Sequence, residues 1–332
     1  MAQSSFKIRA RREAYPIDGQ FRISRGAKTQ ADVIVAEISM GRCTGRGECV
    51  PYACYGESLD SVQAQITGTL LENTGTIPDA RAVLHNRLPP GAARNALDCA
   101  LWDLQSKSED LHFYQVIKAD PPRPLETAFT LSLDTPEGMA DAARGASSRP
   151  LLKIKLGGDD DIACMHAVVA NAPNSGIIID ANEAWKAEDL PRLMREAAHL
   201  DISLIEQPLP AGDDAALAHM PHPVPICADE SVHCSKDIAA LADRYDYINI
   251  KLDKAGGLTE AMKMREEAKR LGFGIMVGCM VGSSLAMAPA FYVAQDADYV
   301  DLDGPLLLAR DRSPALHYYG NTISPPEPAL WG

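Results

Sequence analysis

Leu151-Leu152-Lys153-Ile154-Lys155-Leu156 reads as a β-strand with two chemically different faces. Side chains alternate across a strand, so Lys153 and Lys155 share one face while Leu152, Ile154 and Leu156 share the other. If the apolar face meets covering helices, both ammonium groups point into the interior of the sheet. Runs of this kind recur at 127–133, 151–156, 177–182, 203–207, 226–230, 247–253, 274–280 and 299–303, with helical stretches between them. Markers near the strand ends are Ser132, Lys155, Asp180, Glu206, Asp229, Lys251, Gly278 and Asp301, at steps of 23, 25, 26, 23, 22, 27 and 23 residues. Repeated βα units at so even a step predict a parallel sheet closed into a (β/α)8-type, modified TIM barrel. The rival, an open doubly wound sheet, usually carries a G-x-G-x-x-G turn after its first strand, and none follows any of these runs.

Outward from this repeat the expected division is an α+β N-terminal domain over 1–120, the barrel over 121–312 and a tail over 313–332 that packs back on the first domain. The N-terminal domain reads as a β-hairpin followed by helices. Strand-like runs at 6–13 and 33–39 flank a polar segment, 24–30, read as an exposed loop, and a second loop is read over 45–58. Within 92–104, Ala93, Ala96, Leu97, Ala100, Leu101 and Leu104 fall on one helical stripe, predicting a helix buried on one face. The uncharged stretch 271–294 is long enough to span a bilayer. Its four glycines, a Ser-Ser pair and Pro289 make it instead a buried strand, a turn and a helix.

The 332 residues carry 32 Lys+Arg against 45 Asp+Glu, a formal net charge of -13. Such a surface repels phosphate backbones and anionic membranes, so neither nucleic acid nor a membrane is expected as a partner. The 8 cysteines form no C-x-x-C, and no charged-then-apolar leader precedes them, which points to a reducing, cytoplasmic setting.

Functional groups of a barrel collect at the carboxyl ends of its strands. Read together, those ends carry Lys153 and Lys155, then Asp180, Glu206 and Asp229, then Lys251. Two lysines so close are expected to lower each other's pKa by repulsion, leaving one partly neutral and able to act as a base. Carboxylates on three adjacent strand ends suit a hard divalent ion such as Mg2+. Singly, each has a simpler explanation as a helix cap, and Asp229 with Ser231 would serve as one. Thr259 is taken as the cap of the helix after Gly256-Gly257. Strands two and six lie opposite in a ring of eight, so Lys155 and Lys251 face each other across the mouth, although Lys251 would also serve simply as a carboxylate's partner. Two opposed bases beside a metal-bound carboxylate favour removal of an α-proton on one face and its return on the other.

These residues resemble the enolase superfamily in its muconate-lactonising branch, and within it the dipeptide epimerases, most nearly the L-Ala-D/L-Glu epimerases. The resemblance runs nearly end to end. It implies Lys155 and Lys251 as acid/base lysines, Lys153 as the neighbour that neutralises the substrate carboxylate, and one Mg2+ per subunit on Asp180, Glu206 and Asp229 with Asn182 close by. It implies that Asp301 and Asp303 bind the free α-ammonium of a dipeptide; the plain alternative is a salt bridge to Arg310. It also implies that the N-terminal domain caps the barrel mouth. Arg25 and Lys28 would there meet the γ-carboxylate of a substrate glutamate, or else merely form a solvated basic loop, and Thr130 and Cys279-Met280 would contact substrate. The activity implied is Mg-dependent inversion of the C-terminal residue's α-carbon by 1,1-proton transfer, in recycling of murein peptides, by a homo-oligomer. An N-acylamino acid racemase, an o-succinylbenzoate synthase and an epimerase for other dipeptides are the alternatives.

Overall fold

The computed structural model of the chain describes residues 6–71 and 74–332. A long hairpin opens the fold, β1 (Lys7–Ile23) against β2 (Gly26–Met40), and β3 (Cys43–Cys49) completes an antiparallel sheet in the order β1-β2-β3. Three helices follow, α1 (Leu59–Gly68), α2 (Ile77–Arg87) and α3 (Ala92–Glu109), then the single turn α4 (Phe113–Val116).

Of two segments expected as loops, 24–30 is largely strand, and 45–58 is strand over 45–49 and loop or 3-10 turn beyond. Phe21 pairs with Lys28 and Ile23 with Gly26, so 24–30 is a turn at Ser24-Arg25 followed by the start of β2. Gly45 and Gly47 belong to β3, where they mark close approach to a helix. A Cβ on Gly45 would lie 2.0 Å from the Ala100 carbonyl, and one on Gly47 2.1 Å from that of Ala96. Glycine lets the backbone of β3 rest directly on α3.

The predicted apolar stripe of α3 is buried, but so is its opposite side, where Arg94, Asn95, Asp98 and Asp103 are enclosed. The helix is sandwiched between the β1-β2-β3 sheet and the barrel, and its polar residues bind barrel backbone. Arg94 donates to the carbonyls of Gly256 (2.9 Å) and Ala255 (2.7 Å).

The barrel strands are β5 (Phe129–Leu131), β6 (Leu151–Lys155), β7 (Gly176–Asp180), β8 (Leu204–Glu206), β9 (Ile226–Ala228), β10 (Tyr247–Lys251), β11 (Gly274–Gly278) and β12 (Tyr299–Asp301), preceded by the short β4 (Leu125–Glu126). They form one eight-stranded parallel sheet in chain order. Its two ends meet where Ala128 N donates to Val300 O (2.8 Å) and Leu302 N to Thr127 Oγ1 (2.9 Å). Around it lie α5 (Pro136–Gly145), α6 (Asp161–Asn171), α7 (Leu190–His199), the one-turn α8 (Leu252–Ala255), α9 (Leu258–Leu271) and α10 (Ser284–Val293). The units after β8 and β9 carry only 3-10 turns, Ala215–His219 and Ile238–Leu241, so the βα repeat is regular in its strands and not in its helices. The uncharged stretch is β11, a turn and α10 as expected, and among the described residues no helix is long and apolar enough to cross a membrane.

Ile178, Leu204, Cys227 and Met276 fill the barrel interior, an apolar floor beneath the strand ends. The N-terminus of α9 is held from the other domain, because Asp98 accepts from Thr259 N (2.8 Å) and from its hydroxyl (2.7 Å). Asp98 supplies the capping carboxylate where Thr259 was expected to act, since Gly257 occupies the cap position and Thr259 lies inside the first turn. The C-terminal residues, after a small sheet of β13 (Tyr318–Tyr319) and β14 (Thr322–Ile323) with β4, return to α3. There Trp331 Nε1 donates to Cys99 O and Gly332 N to Asp103 Oδ1.

Candidate active site

Strand register sets the chemistry. Lys155 pairs laterally with Asp180 and Asp180 with Glu206, while Lys251 pairs with Gly278 and Gly278 with Asp301. The residues closing these strands therefore lie in one layer, and β6 and β10 stand four places apart in the eight-stranded order. As the alternation requires, Leu152 and Ile154 join the helix-facing core, whereas Lys153 and Lys155 turn inward. Gly278 gives Lys251 its room: a Cβ there would lie 2.8 Å from the Asn249 amide and 3.0 Å from Lys251 Cε.

Inside, each ammonium is held by carboxylates. Lys153 Nζ lies 2.7 Å from Asp301 Oδ2, 2.7 Å from Glu206 Oε2 and 3.1 Å from Asp180 Oδ2. Lys155 Nζ lies 2.5 Å from Asp180 Oδ2, and Lys251 Nζ 2.6 Å from Asp229 Oδ2 and 3.6 Å from Glu206 Oε1. Asn249 Nδ2 donates to Glu206 Oε1 (2.8 Å), and Asp180 Oδ1 accepts from Asn182 N (3.0 Å). The lowering expected from the Lys153–Lys155 pair is not found for Lys153, and Lys251 is shifted the same way as Lys153. Burial opposes both charges, but the surrounding carboxylates overcome it and hold both well above the ordinary value. Burial likewise opposes charge on Asp180 and Asp229, and the lysines overcome it, holding both below the usual range. Glu206 goes the other way, raised by burial and the neighbouring Asp180 carboxylate.

On the remaining wall Asp303 accepts from Thr130 N (2.6 Å), and burial with the adjacent Asp301 charge pushes its carboxyl up to about 7. The alternative pairing with Arg310 is absent: Arg310 is exposed and Asp301 is engaged by Lys153. Asp301 Oδ1 is buried and accepts no hydrogen bond.

Arg25, at the hairpin tip, reaches the mouth by bonding Glu230 (2.6 Å), Glu183 (2.8 Å), the Asn182 carbonyl and the Tyr52 hydroxyl. Lys28 is exposed, with its ammonium 5.6 Å from the centre of the Tyr52 ring that Arg25 also touches. Met280 packs with Tyr15, Ile17, Val33 and Val50 of the N-terminal domain.

Sequence reasoning missed several buried residues. Asn249 and Lys251 share a strand face, a signal legible in the Asn-Ile-Lys alternation. Gln207 Oε1 accepts from Asp229 N and Ser231 N, while its Nε2 donates to Leu209 O, Ser231 Oγ and Tyr245 OH. Nothing local in the sequence announces that junction, nor the place of Lys254 under Asp229.

Asp180, Glu206 and Asp229 offer only oxygen donors, as a hard divalent cation requires. Among the described residues no three such side chains are gathered by themselves, and the ammonium groups of Lys153 and Lys251 contact these carboxylates. A divalent cation nevertheless fits. The carboxylates of Asp180, Glu206, Asp229, Glu230, Asp301 and Asp303 outnumber the cations of Lys153, Lys155, Lys251, Lys254 and Arg25; the buried Asn182 Oδ1 accepts no hydrogen bond, and Glu206 Oε2 is met only by the Lys153 ammonium.

Comparison with known proteins agrees with this architecture. Residues 5–117 match the mandelate racemase / muconate lactonizing enzyme N-terminal domain, and residues 138–306 the enolase C-terminal domain-like family. The chain is 46% identical to an N-acetyl-D-glutamate racemase of a Pseudoalteromonas species, over 90% of this chain and 95% of that one. It is 44% identical to the L-Ala-D/L-Glu epimerase of Escherichia coli, over 92% and 95% respectively. A crystal structure of an enolase family member from Agrobacterium tumefaciens, with homology to dipeptide epimerases and bound sodium and L-Ala-L-Glu, superposes with a TM-score of 0.95. That protein is 53% identical, over 98% of this chain and 100% of its own. The chain belongs to the enolase superfamily, in its mandelate racemase/muconate lactonizing enzyme family.

Proposed function

We propose that this protein is a Mg2+-dependent dipeptide epimerase that inverts the α-carbon of the C-terminal residue, with L-Ala-Glu as substrate. The observation that carries the reading is a pair of lysine–carboxylate contacts, Lys155 on Asp180 and Lys251 on Asp229, borne by strands four apart in the ring.

In this reading the mouth of the barrel, 121–312, is capped by the domain over 1–120, against which the tail 313–332 packs. Asp180, Glu206 and Asp229 would hold one Mg2+, the ion found with a dipeptide in structures of related epimerases. When bound, the ion acts as a Lewis acid on the substrate carboxylate. Lys153 adds its ammonium at the same carboxylate. The Nζ of Lys155 or Lys251, once it has left its carboxylate and lost its proton, takes the α-proton; the C–H bond breaks and its electron pair spreads into the carboxylate. The Nζ of the opposite lysine then gives a proton to the other face, and the new C–H bond has inverted configuration. Asp301 and Asp303 receive the dipeptide's ammonium, with Thr130 fixing Asp303. Arg25 and Lys28 select an acidic side chain at the mouth, beside Asn182 and Met280. For Arg25 that means giving up its contacts to Glu183 and Glu230. A cytoplasmic homo-oligomer recycling cell-wall peptides is the physiological setting this implies.

The 46% identity to an N-acetyl-D-glutamate racemase favours a second reading with the same reacting residue, glutamate, and an acetyl group in place of alanyl. Incubation in deuterated water with L-Ala-L-Glu and with N-acetyl-D-glutamate, followed by mass spectrometry and chiral analysis, separates the two. Deuterium uptake with inversion in L-Ala-L-Glu is expected. Uptake in N-acetylglutamate alone would replace the first reading with the second, and uptake in neither would remove both.

A further inference from the structure

Lys254 lies one helical turn beyond Lys251, in α8, with its ammonium buried against Asp229. That nitrogen donates to Asp229 Oδ1 (2.5 Å) and to the carbonyls of Asp229, Val232 (3.0 Å) and Asn249 (3.3 Å). From the other side, Gln207 accepts the Asp229 N–H at 2.8 Å. The amide, the carbonyl and Oδ1 of Asp229 are thus all held by groups behind it. Only Oδ2 is left to the chamber, where Lys251 stands at 2.6 Å.

The opposite wall is built alike. Asp180 Oδ2 is shared by Lys155 at 2.5 Å and Lys153 at 3.1 Å, and Lys153 is tied in turn to Asp301 and Glu206. Each carboxylate therefore has two lysines, one fixed and one nearer the opening. Relative exposure sorts them: Lys153 is 1% and Lys254 2% exposed, Lys155 is 7% and Lys251 5%.

We infer that Lys254 is the permanent counter-ion of Asp229, a positioning residue that occupies Oδ1 so that Lys251 can leave the carboxylate for the substrate. The inference rests on Lys251 being one of the two proton carriers proposed above. Without Lys254, Oδ1 becomes a buried, charged acceptor lacking a donor, which folded proteins tolerate poorly. The nearest other ammonium is that of Lys251, already on Oδ2, and capture by both oxygens would hold it back from the α-carbon. Lys155, on the other wall, would be untouched.

The effect is therefore one-sided, and α-proton exchange of the two epimers reads it. Lys254→Met and Lys254→Gln, the second keeping donors for the carbonyls, are compared with wild type and Lys251→Ala in deuterated water, using L-Ala-L-Glu and L-Ala-D-Glu separately. Exchange should fall about tenfold or more for the epimer that Lys251→Ala also fails to exchange. For the other epimer it should change by less than about threefold. A crystal structure of the variant should have Lys251 Nζ bonded to both Asp229 oxygens. Lys254→Arg, which restores the charge, should recover much of the lost exchange. Equal loss for both epimers, no loss, or Lys251 remaining on Oδ2 alone would overturn the inference, and if the Met variant does not fold the Gln variant decides. Wild-type protein that exchanges neither epimer removes the proposed activity itself; exchange in the wild type with an even loss in the variant removes this inference alone.

Discussion

Gly278→Ala tests how tightly the structure confines Lys251 without altering any group proposed to react. The new methyl would lie 2.8 Å from both the nitrogen and the oxygen of the Asn249 amide and 3.0 Å from Lys251 Cε. All three neighbours are side-chain atoms, so they can yield, but Asn249 is tied to Glu206 and Lys251 to Asp229. Overpacking of a full interior costs about 1–3 kcal/mol. If that strain displaces Lys251, each ~1.4 kcal/mol becomes about a tenfold loss of rate, so the structure predicts about a ten- to hundredfold fall in exchange of the epimer Lys251 serves. Calorimetry should register the remainder as a lowered Tm. Exchange of both epimers at wild-type rates in a normally folded variant would refute the confinement, and with it the placing of Lys251 at the reacting carbon.

Two further expectations concern β3, which meets the barrel through Glu48 and α3 through Gly47. Buried Glu48 accepts from Ser283 N (2.7 Å) and its hydroxyl beside Arg312; burial pushes its carboxyl from 4.5 up to about 7, with Arg312 and Ser283 partly offsetting the rise. The folded protein then holds a proton that the unfolded chain has lost between these values. Its stabilising effect is complete below about pH 4.5 and declines, by roughly 1.4 kcal/mol per pH unit, as pH rises through about 7. Urea unfolding at pH 5 and pH 7 should therefore give Glu48→Gln a flatter profile than wild type by about 2 kcal/mol, and parallel profiles would contradict the assignment. Gly47→Ala puts a methyl 2.1 Å from the Ala96 carbonyl, where only backbone can move. A loss of about 3 kcal/mol or more is expected in urea with an unchanged m-value, and a loss below about 1 kcal/mol would mean that β3 and α3 part easily.

The barrel was legible because its strands keep an even step and end in charged residues, so that alternation alone turns Lys153, Lys155 and the carboxylates inward. The N-terminal domain was harder for a physical reason. The segment from Gly45 was read as loop, yet glycine at 45 and 47 serves the approach of a helix to a strand, information carried by Ala96 and Ala100 far along the chain. The same limit explains α3. Its apolar stripe was visible, but its polar face proved buried because Asp98 and Arg94 find partners in α9 and around Gly256. Within the site, lysine–lysine repulsion looked decisive from adjacent residues, whereas Asp180, Glu206 and Asp301, brought from three other strands, outweigh it at Lys153. Lys254 and Gln207 escaped notice because their partners lie across strand ends, where sequence spacing says nothing of contact.

The opposed pair of lysines is tested most directly by measuring α-proton exchange of L-Ala-L-Glu and L-Ala-D-Glu in deuterated water with Lys155→Ala and Lys251→Ala. Each variant should fail to epimerise yet still exchange one epimer with retention, the two variants exchanging opposite epimers. Inversion by either variant, or loss of the same epimer in both, would contradict two bases on opposite faces of the substrate.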